Sequence, residues 1–247
     1  MREMIYGRNP VYETLRARRR QFFGLQIAEG IQEKGHLAEI FQMARERNLP
    51  VQNVPRARLD RITSNHQGVA LETSGYPYQA VEDMLDLAGE RDEKPFLLLL
   101  DSLQDPQNFG TLLRTAEAAG LHGVVIPLAR SAEVTPAVVS ASSGASEHLL
   151  IAQANLAQVI DSLKQKDIWI VGLDSGEIAR PIDEAPLDGR LALVVGGEAE
   201  GMRALIRQKC DYLAKLPMRG QVDSLNAAVA GSIAIYLALG RRLHRSS

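Results

Sequence analysis

Phe96-Leu97-Leu98-Leu99-Leu100-Asp101 is apolar up to its last position and ends on an acid. A continuous apolar run of this length is the pattern of a strand buried on both faces. Ser102-Leu103-Gln104-Asp105-Pro106-Gln107 follows as a polar, proline-bearing turn, and residues 108–119 then take up helical spacing until Gly120 stops them. Downstream the same grammar repeats. Val124-Val125-Ile126 reads as a strand. Thr135 caps a helix with Pro136 in its first turn, and Asn155 caps another over residues 156–166. Residues 168–171 and 191–195 read as strands, 203–209 as a short helix, 212–216 as a strand and 224–243 as the final helix. Strand–helix alternation predicts an α/β fold with a mostly parallel sheet covered on both faces. Ligands of such sheets gather at the carboxyl ends of the strands.

Upstream of Phe96 the pattern is looser. Asn9-Pro10 followed by Val11 and Leu15 reads as a helix start, Leu25-Gln26-Ile27-Ala28 as a short strand, and Leu37, Ile40, Phe41 and Ala44 as one helical face. Residues 50–54 and Val69-Ala70-Leu71 are extended. The expectation is a small α/β domain over residues 1–75. Residues 76–94 are acidic and read as a linker, and 95–247 form the larger domain.

Of the 247 residues, 45% are apolar and 23% charged, as in an ordinary globular chain. The net charge of −2 hides an uneven distribution: +4 over residues 1–75, −4 over 76–94 and −2 over 95–247. The basic excess centres on Arg16, Arg18, Arg19 and Arg20, a cluster able to follow a phosphate backbone or simply to sit in water at a helix end. The single cysteine, Cys210, excludes a disulfide framework and reads as a small, buried apolar residue. His36, His66, His122, His148 and His244 show no metal-ligand spacing, so no metal is expected. No segment has the length and apolarity of a membrane span, and the first residues carry no apolar signal region, so a cytoplasmic setting is expected.

Three strand-end segments concentrate glycine, asparagine and charge. The first runs from Asp101 through Asp105, Asn108, Gly110 and Arg114 to Ala116. The second is Val195-Gly196-Gly197-Glu198-Ala199-Glu200-Gly201-Met202. The third runs from Leu216 through Pro217, Met218, Arg219, Gly220, Ser224 and Leu225 to Asn226 and Ala227. Each residue has an ordinary reading. Asn108 and Ser224 make good helix caps, Arg114 can pair with Glu117, Glu198 can sit in water, and the glycines can serve turns.

Taken together and in order, the segments resemble the three signature motifs of the SpoU branch of the SPOUT methyltransferases. Asp105-Pro106-x-Asn108-x-Gly110-x-x-x-Arg114-Thr115-Ala116 is similar to the first. Gly196-x-Glu198-x-x-Gly201 is similar to the second, and Pro217-Met218-x-Gly220-x-x-x-Ser224-Leu225-Asn226 to the third. The second departs from the usual pattern, which has a small polar residue before the glutamate and a glycine after it; here they are Gly197 and Ala199. In front, Tyr6-Gly7-Arg8-Asn9-Pro10-Val11 and His66-Gln67-Gly68-Val69-Ala70 resemble the substrate-binding domain of RlmB-type enzymes, which methylate a guanosine of 23S rRNA.

The resemblance implies a trefoil-knotted catalytic domain that uses S-adenosylmethionine to methylate a ribose 2′-hydroxyl. It implies cofactor contacts at Gly196, Leu216, Met218 and Leu225, and a reacting centre of Asn108, Arg114, Glu198, Ser224 and Asn226. RNA would be gripped by Arg8, Arg16, Arg18, Arg19 and Arg20. Ribosomal RNA is the expected partner, ahead of tRNA. A homodimer is expected through the small residues of the last helix (Ala227, Ala228, Ala230, Gly231, Ser232, Ala234), which also suit packing within one chain. Two rivals remain. A nicotinamide enzyme is disfavoured because no G-x-G-x-x-G follows a first strand. A catalytically silent RNA-binding protein on the same fold is disfavoured by the intact polar residues of the three motifs.

Overall fold

The computed structural model describes residues 2–129, 132–197, 201–221 and 224–244. The chain forms two compact units, Met1–Pro77 with Glu133–His148, and Tyr78–Ala132 with Leu149–Ser247. The front unit thus recruits a stretch from the middle of the region expected to be the second domain.

In the front unit, β1 (Arg2–Tyr6), β2 (Phe22–Ala28), β3 (Val51–Val54) and β4 (Val69–Ser74) form one sheet in the order β1-β4-β2-β3. Only the β2–β3 pair is parallel. Ile5, Leu71 and Leu25 stand opposite one another across three strands and are fully buried, so register is fixed by one apolar row. Helix α1 (Arg8–Ala17) buries Val11 and Leu15, and α2 (His36–Glu46) buries Leu37, Ile40 and Ala44, the one-face spacing of an amphipathic helix. A short helix, α3 (Arg56–Asp60), plants Leu59 in a second cluster with Ala28, Val54 and Ala70.

The segment read as an acidic linker splits between the units. Tyr76 is buried in the front unit, where its hydroxyl donates to the Ser146 carbonyl at 3.1 Å. Helix α4 (Val81–Glu90) belongs to the rear unit, with Met84 in the same core as Leu97 and Leu99.

In the rear unit β5 (Phe96–Asp101) is buried along all six residues, as are β6 (Gly123–Pro127) and β10 (Leu191–Gly196) along their lengths. With β7 (Ile151–Ala154), β8 (Trp169–Leu173), β9 (Arg180–Pro181) and β11 (Tyr212–Lys215) they form a seven-stranded sheet in the order β7-β6-β5-β10-β8-β11-β9. Every neighbouring pair is parallel. Its helices are α4, α5 (Pro106–Ala118), α7 (Leu156–Lys164), α8 (Ala204–Lys209) and α9 (Ala227–His244); α6 (Pro136–Ala141) falls in the front unit. Thr135 precedes α6 but makes no side-chain capping bond, whereas Asn155 caps α7 as expected. Because the strands run parallel, their carboxyl ends share one edge. Asp101 of β5 lies directly opposite Gly196 of β10, and the turns after β5, β8, β10 and β11 emerge together. No described helix is long and apolar enough to cross a membrane.

Candidate active site

The loop after β10 folds back on its own strand. Gly197 N–H donates to the Gly201 carbonyl at 3.1 Å, and Gly201 N–H returns the bond at 3.2 Å. A Cβ on Gly196 would lie 2.3 Å from both Gly201 C and Met202 N, and one on Gly197 would lie 2.4 Å from the Ser102 carbonyl oxygen. These contacts are with backbone, which no rotamer change relieves. The glycines therefore make room for neighbouring main chain. Asp101 fastens the far end of the loop. Its side chain is fully buried and accepts from the Arg203 backbone N–H and from Arg203 Nε, both at 2.7 Å. An acid closing an otherwise apolar buried strand was the available signal for this clamp.

A cleft of about 1440 Å³ opens where these turns converge. Gly196, Gly197, Gly201 and Met202 line it together with the apolar Leu216, Met218 and Leu225. Gly196, Leu216, Met218 and Leu225, which the motifs separate by as many as 29 positions, thus line one cavity. Asp174, Glu177 and Asp183 also face it, against Arg207 and Lys215. Asp174 accepts from Gly176 N–H at 2.6 Å and from Arg207 Nε, so one rim of the cleft is held by its own carboxylate. None of Asp174, Glu177, Asp183 or Arg207 belongs to a motif, and periodicity gives no hint of them.

Asn226 joins the third segment to the first. Its Oδ1 accepts from the N–H groups of Ala228 (2.9 Å) and Val229 (3.2 Å), which makes it the cap of α9. The oxygen being so committed, Nδ2 faces the other way and donates to Asn108 Oδ1 at 3.0 Å. Asn108 is released for this contact because Asp105 caps α5, accepting from Gln107 N–H (3.2 Å) and Asn108 N–H (3.1 Å). The two capping roles anticipated for Asn108 and Ser224 thus fall to Asp105 and Asn226, and Ser224 is an exposed residue on the cleft. Arg114 is exposed on α5, beside Thr115, whose hydroxyl meets that of Ser232 on α9 at 2.9 Å. It is not among the cleft-lining residues. Glu198 lies outside the described residues.

The small residues of α9 serve contacts within the chain. Ala228, Gly231 and Ala234 are buried, and a Cβ on Gly231 would come within 2.6 Å of Leu112 on α5. Another face of the helix exposes Val229, Ile233, Tyr236 and Leu237, an i, i+4, i+7, i+8 stripe of large apolar side chains. Cys210 is half-buried, and burial pushes its thiol up to about 12, leaving it un-ionised at neutral pH.

The arginines read as an RNA grip divide. Arg16 and Arg18 are exposed, Arg16 within 3.4 Å of Glu13. Arg8 is half-buried, with Nε donating to the Gln67 carbonyl at 3.3 Å. Arg19 donates to the Tyr76 hydroxyl (3.2 Å) and the Pro77 carbonyl (3.4 Å). Arg20 is enclosed. Its side chain is wholly buried, grips Glu147 through Nε and NH2 (both 2.8 Å) and reaches Glu3 at 2.6 Å. Burial works against its charge, yet the two carboxylates more than offset that and raise its pKa. A guanidinium so enclosed holds the front unit together and is closed to phosphate. Glu147 lies 127 positions away, beyond the reach of sequence pattern.

Residues 95–236 match the SpoU rRNA methylase family, and residues 4–79 match the substrate-binding family of RNA 2′-O ribose methyltransferases. A Bacillus subtilis protein named as a TrmH family tRNA/rRNA methyltransferase is 42% identical over 238 residues, covering 95% of this chain and 94% of its own. The SpoU methyltransferase AviRb of Streptomyces viridochromogenes, solved with its cofactor S-adenosylmethionine, superimposes with a TM-score of 0.81 at 21% identity, over 98% of this chain and 91% of its own. An rRNA methyltransferase of Sinorhizobium meliloti, also solved with S-adenosylmethionine bound, gives 0.78 at 23% identity, over 98% and 87%.

Proposed function

The chain belongs to the SpoU methylase family, and from that premise we propose that it transfers a methyl group from S-adenosylmethionine to the ribose 2′-hydroxyl of a guanosine in 23S rRNA. The observation that carries this reading is the convergence of Gly196, Leu216, Met218 and Leu225 on one cleft, with the Asn226–Asn108 pair beside it.

The cleft suits that cofactor chemically. It offers the apolar side chains of Leu216, Met218 and Leu225 to the faces of a purine. Among the described lining residues three carboxylates face two cations, a surplus that favours a ligand bearing a sulfonium and an ammonium. When bound, S-adenosylmethionine supplies a methyl group already activated by positive charge on sulfur. The protein must then hold the acceptor oxygen in line and help remove its proton, and positioning of this kind is worth several kcal/mol.

In this reading Asn226 and Asn108 orient the ribose, and Ser224 shapes the acceptor side of the cleft. Arg114 clamps the phosphate next to the target ribose through its planar guanidinium. Glu198 fixes the loop or Arg114. The exposed stripe of α9 pairs with the same stripe of a second copy, so the enzyme works as a homodimer whose rear domains carry the family's trefoil knot. The front unit favours ribosomal RNA over tRNA, since it matches a dedicated substrate-binding family and the likeness to the Sinorhizobium meliloti rRNA methyltransferase spans both units. The enzyme acts in the cytoplasm, where that RNA is made. Mapping 2′-O-methyl positions in rRNA and tRNA from a strain lacking the gene tests this. One guanosine methylation in 23S rRNA disappears; an intact rRNA map with an altered tRNA would reverse the substrate assignment.

A further inference from the structure

The cluster at Arg16–Arg20 drew attention because it is dense, but folding neutralises much of it. A different cationic surface is left open. Pro55-Arg56-Ala57-Arg58-Leu59-Asp60-Arg61 places three arginines within six residues, and all three are exposed. Leu59, fully buried with Ala28, Val54 and Ala70, fixes which way α3 faces. At 100° per residue Arg61, just past the helix, lies about 160° from Leu59, Arg58 about 100° to one flank and Arg56 about 60° to the other. None of the three has a carboxylate within salt-bridge distance among the described residues. Elsewhere the same unit pairs Arg2 with Glu72, Arg16 with Glu13, Arg20 with Glu3 and Glu147, and Arg45 with Glu33.

The one acid of α3 is tied down. Gly68 N–H donates to His66 Nδ1 at 2.8 Å, so Nε2 carries the ring proton and donates to Asp60 Oδ1 at 2.9 Å. His66 is fully buried and so pins the 61–68 loop against α3. Gln67, next in that loop, takes both the Arg8 backbone N–H (3.0 Å) and Arg8 Nε (3.3 Å). Arg8 and Asp60 are thereby both held to the 61–68 loop, which runs on directly from α3. Like charges three residues apart on a helix repel. Keeping Arg58 and Arg61 together without acids suits a partner that brings the negative charge itself, spaced along a chain.

We propose that Arg56, Arg58 and Arg61, continued by Arg8, are the residues by which the front unit binds the RNA sugar–phosphate backbone. This rests on the RNA methyltransferase reading above and assigns its substrate grip to α3, Arg61 after it and Arg8, in place of Arg19 and Arg20. The surface holds backbone without reading bases, so it sets affinity and register and leaves the chemical step to the cleft.

The test uses full-length protein, an unmodified 23S rRNA transcript as probe, and filter binding across a salt series. Each lost phosphate contact on single-stranded RNA lowers the slope of log affinity against log salt by about 0.7, so R56E/R58E/R61E should lower it by about 2 and raise the KM for RNA at least about tenfold. The kcat at saturating RNA and the Kd for S-adenosylmethionine stay at the wild-type level, and R56K/R58K/R61K keeps the wild-type slope. A charge-reversed protein with an unchanged slope overturns the proposal. Should that protein also lose S-adenosylmethionine affinity, R56A/R58A/R61A takes its place, and an unchanged slope there overturns the proposal. If instead the wild-type protein methylates no RNA, the underlying functional reading fails, a result visible before any variant is made.

Discussion

Asn226→Asp separates two jobs that one side chain performs. The oxygen caps α9 and the amide nitrogen donates to Asn108 at 3.0 Å. Aspartate retains the cap, and its charge is favourable at a helix N-terminus by about 0.3–1 kcal/mol. It has no hydrogen to give Asn108 Oδ1, so two oxygens face each other and Asn108 turns away. The bridge is exposed, and a typical net hydrogen bond is worth about 0.5–1.5 kcal/mol, which corresponds to a loss of about 2- to 12-fold in kcat/KM. Asn226→Ala loses the bridge and the cap together and should also cost about 0.5–2 kcal/mol of stability. Single-turnover methyl transfer and thermal melting on the two variants read the two jobs apart. Asparagine 226 is expected to yield a stable, slow aspartate variant and a less stable, slow alanine variant. Full activity in Asn226→Asp, or a melting loss equal to that of Asn226→Ala, would refute the division of labour.

Arg20→Met strands Glu147, whose side chain is also fully buried, and breaking such a pair costs about 3–5 kcal/mol, read as a fall in melting temperature of roughly 6–20 °C. Gly196→Ala puts a methyl 2.3 Å from two backbone atoms, so the 196–202 loop must move; overpacking of about 1–3 kcal/mol and loss of S-adenosylmethionine binding by calorimetry are expected. Burial lowers the pKa of His122, whose Nδ1 accepts from Phe96 N–H at 3.0 Å, outweighing the opposing pull of Glu93. The folded chain then binds fewer protons than the unfolded one below about pH 6.5, so this stability is complete above that pH and is lost as pH falls towards the lowered folded value. In denaturant titrations from pH 7.5 to 5, His122→Gln should flatten that slope.

The rear unit was legible because its strands are buried on both faces and its glycine-rich turns follow them directly. Residues 96–101 were read to the residue, and 168–171, 191–195 and 212–216 to within two. The strand at β7 and the two-residue β9 were missed, since neither is long enough to show a period. What escaped most completely was pairing at a distance. Nothing local says that Arg20 will be enclosed by Glu147 while Arg56, Arg58 and Arg61 stay in water, nor that residues 133–148 will pack with the front unit. Capping was misplaced for a related reason. Asp105, Asn108, Ser224 and Asn226 are all good caps in isolation, and only the observed start of each helix shows which of them is left over for chemistry.

In the proposed reaction this cleft delivers a methyl group to a ribose oxygen. Incubation with methyl-labelled S-adenosylmethionine and unmodified 23S rRNA, followed by complete alkaline hydrolysis, tests it most directly, because a 2′-O-methyl group blocks cleavage of the adjoining phosphodiester. Label is expected in alkali-resistant dinucleotides whose 5′ residue is guanosine. Label released as a methylated base on an ordinary mononucleotide, or no transfer to RNA at all, would contradict it.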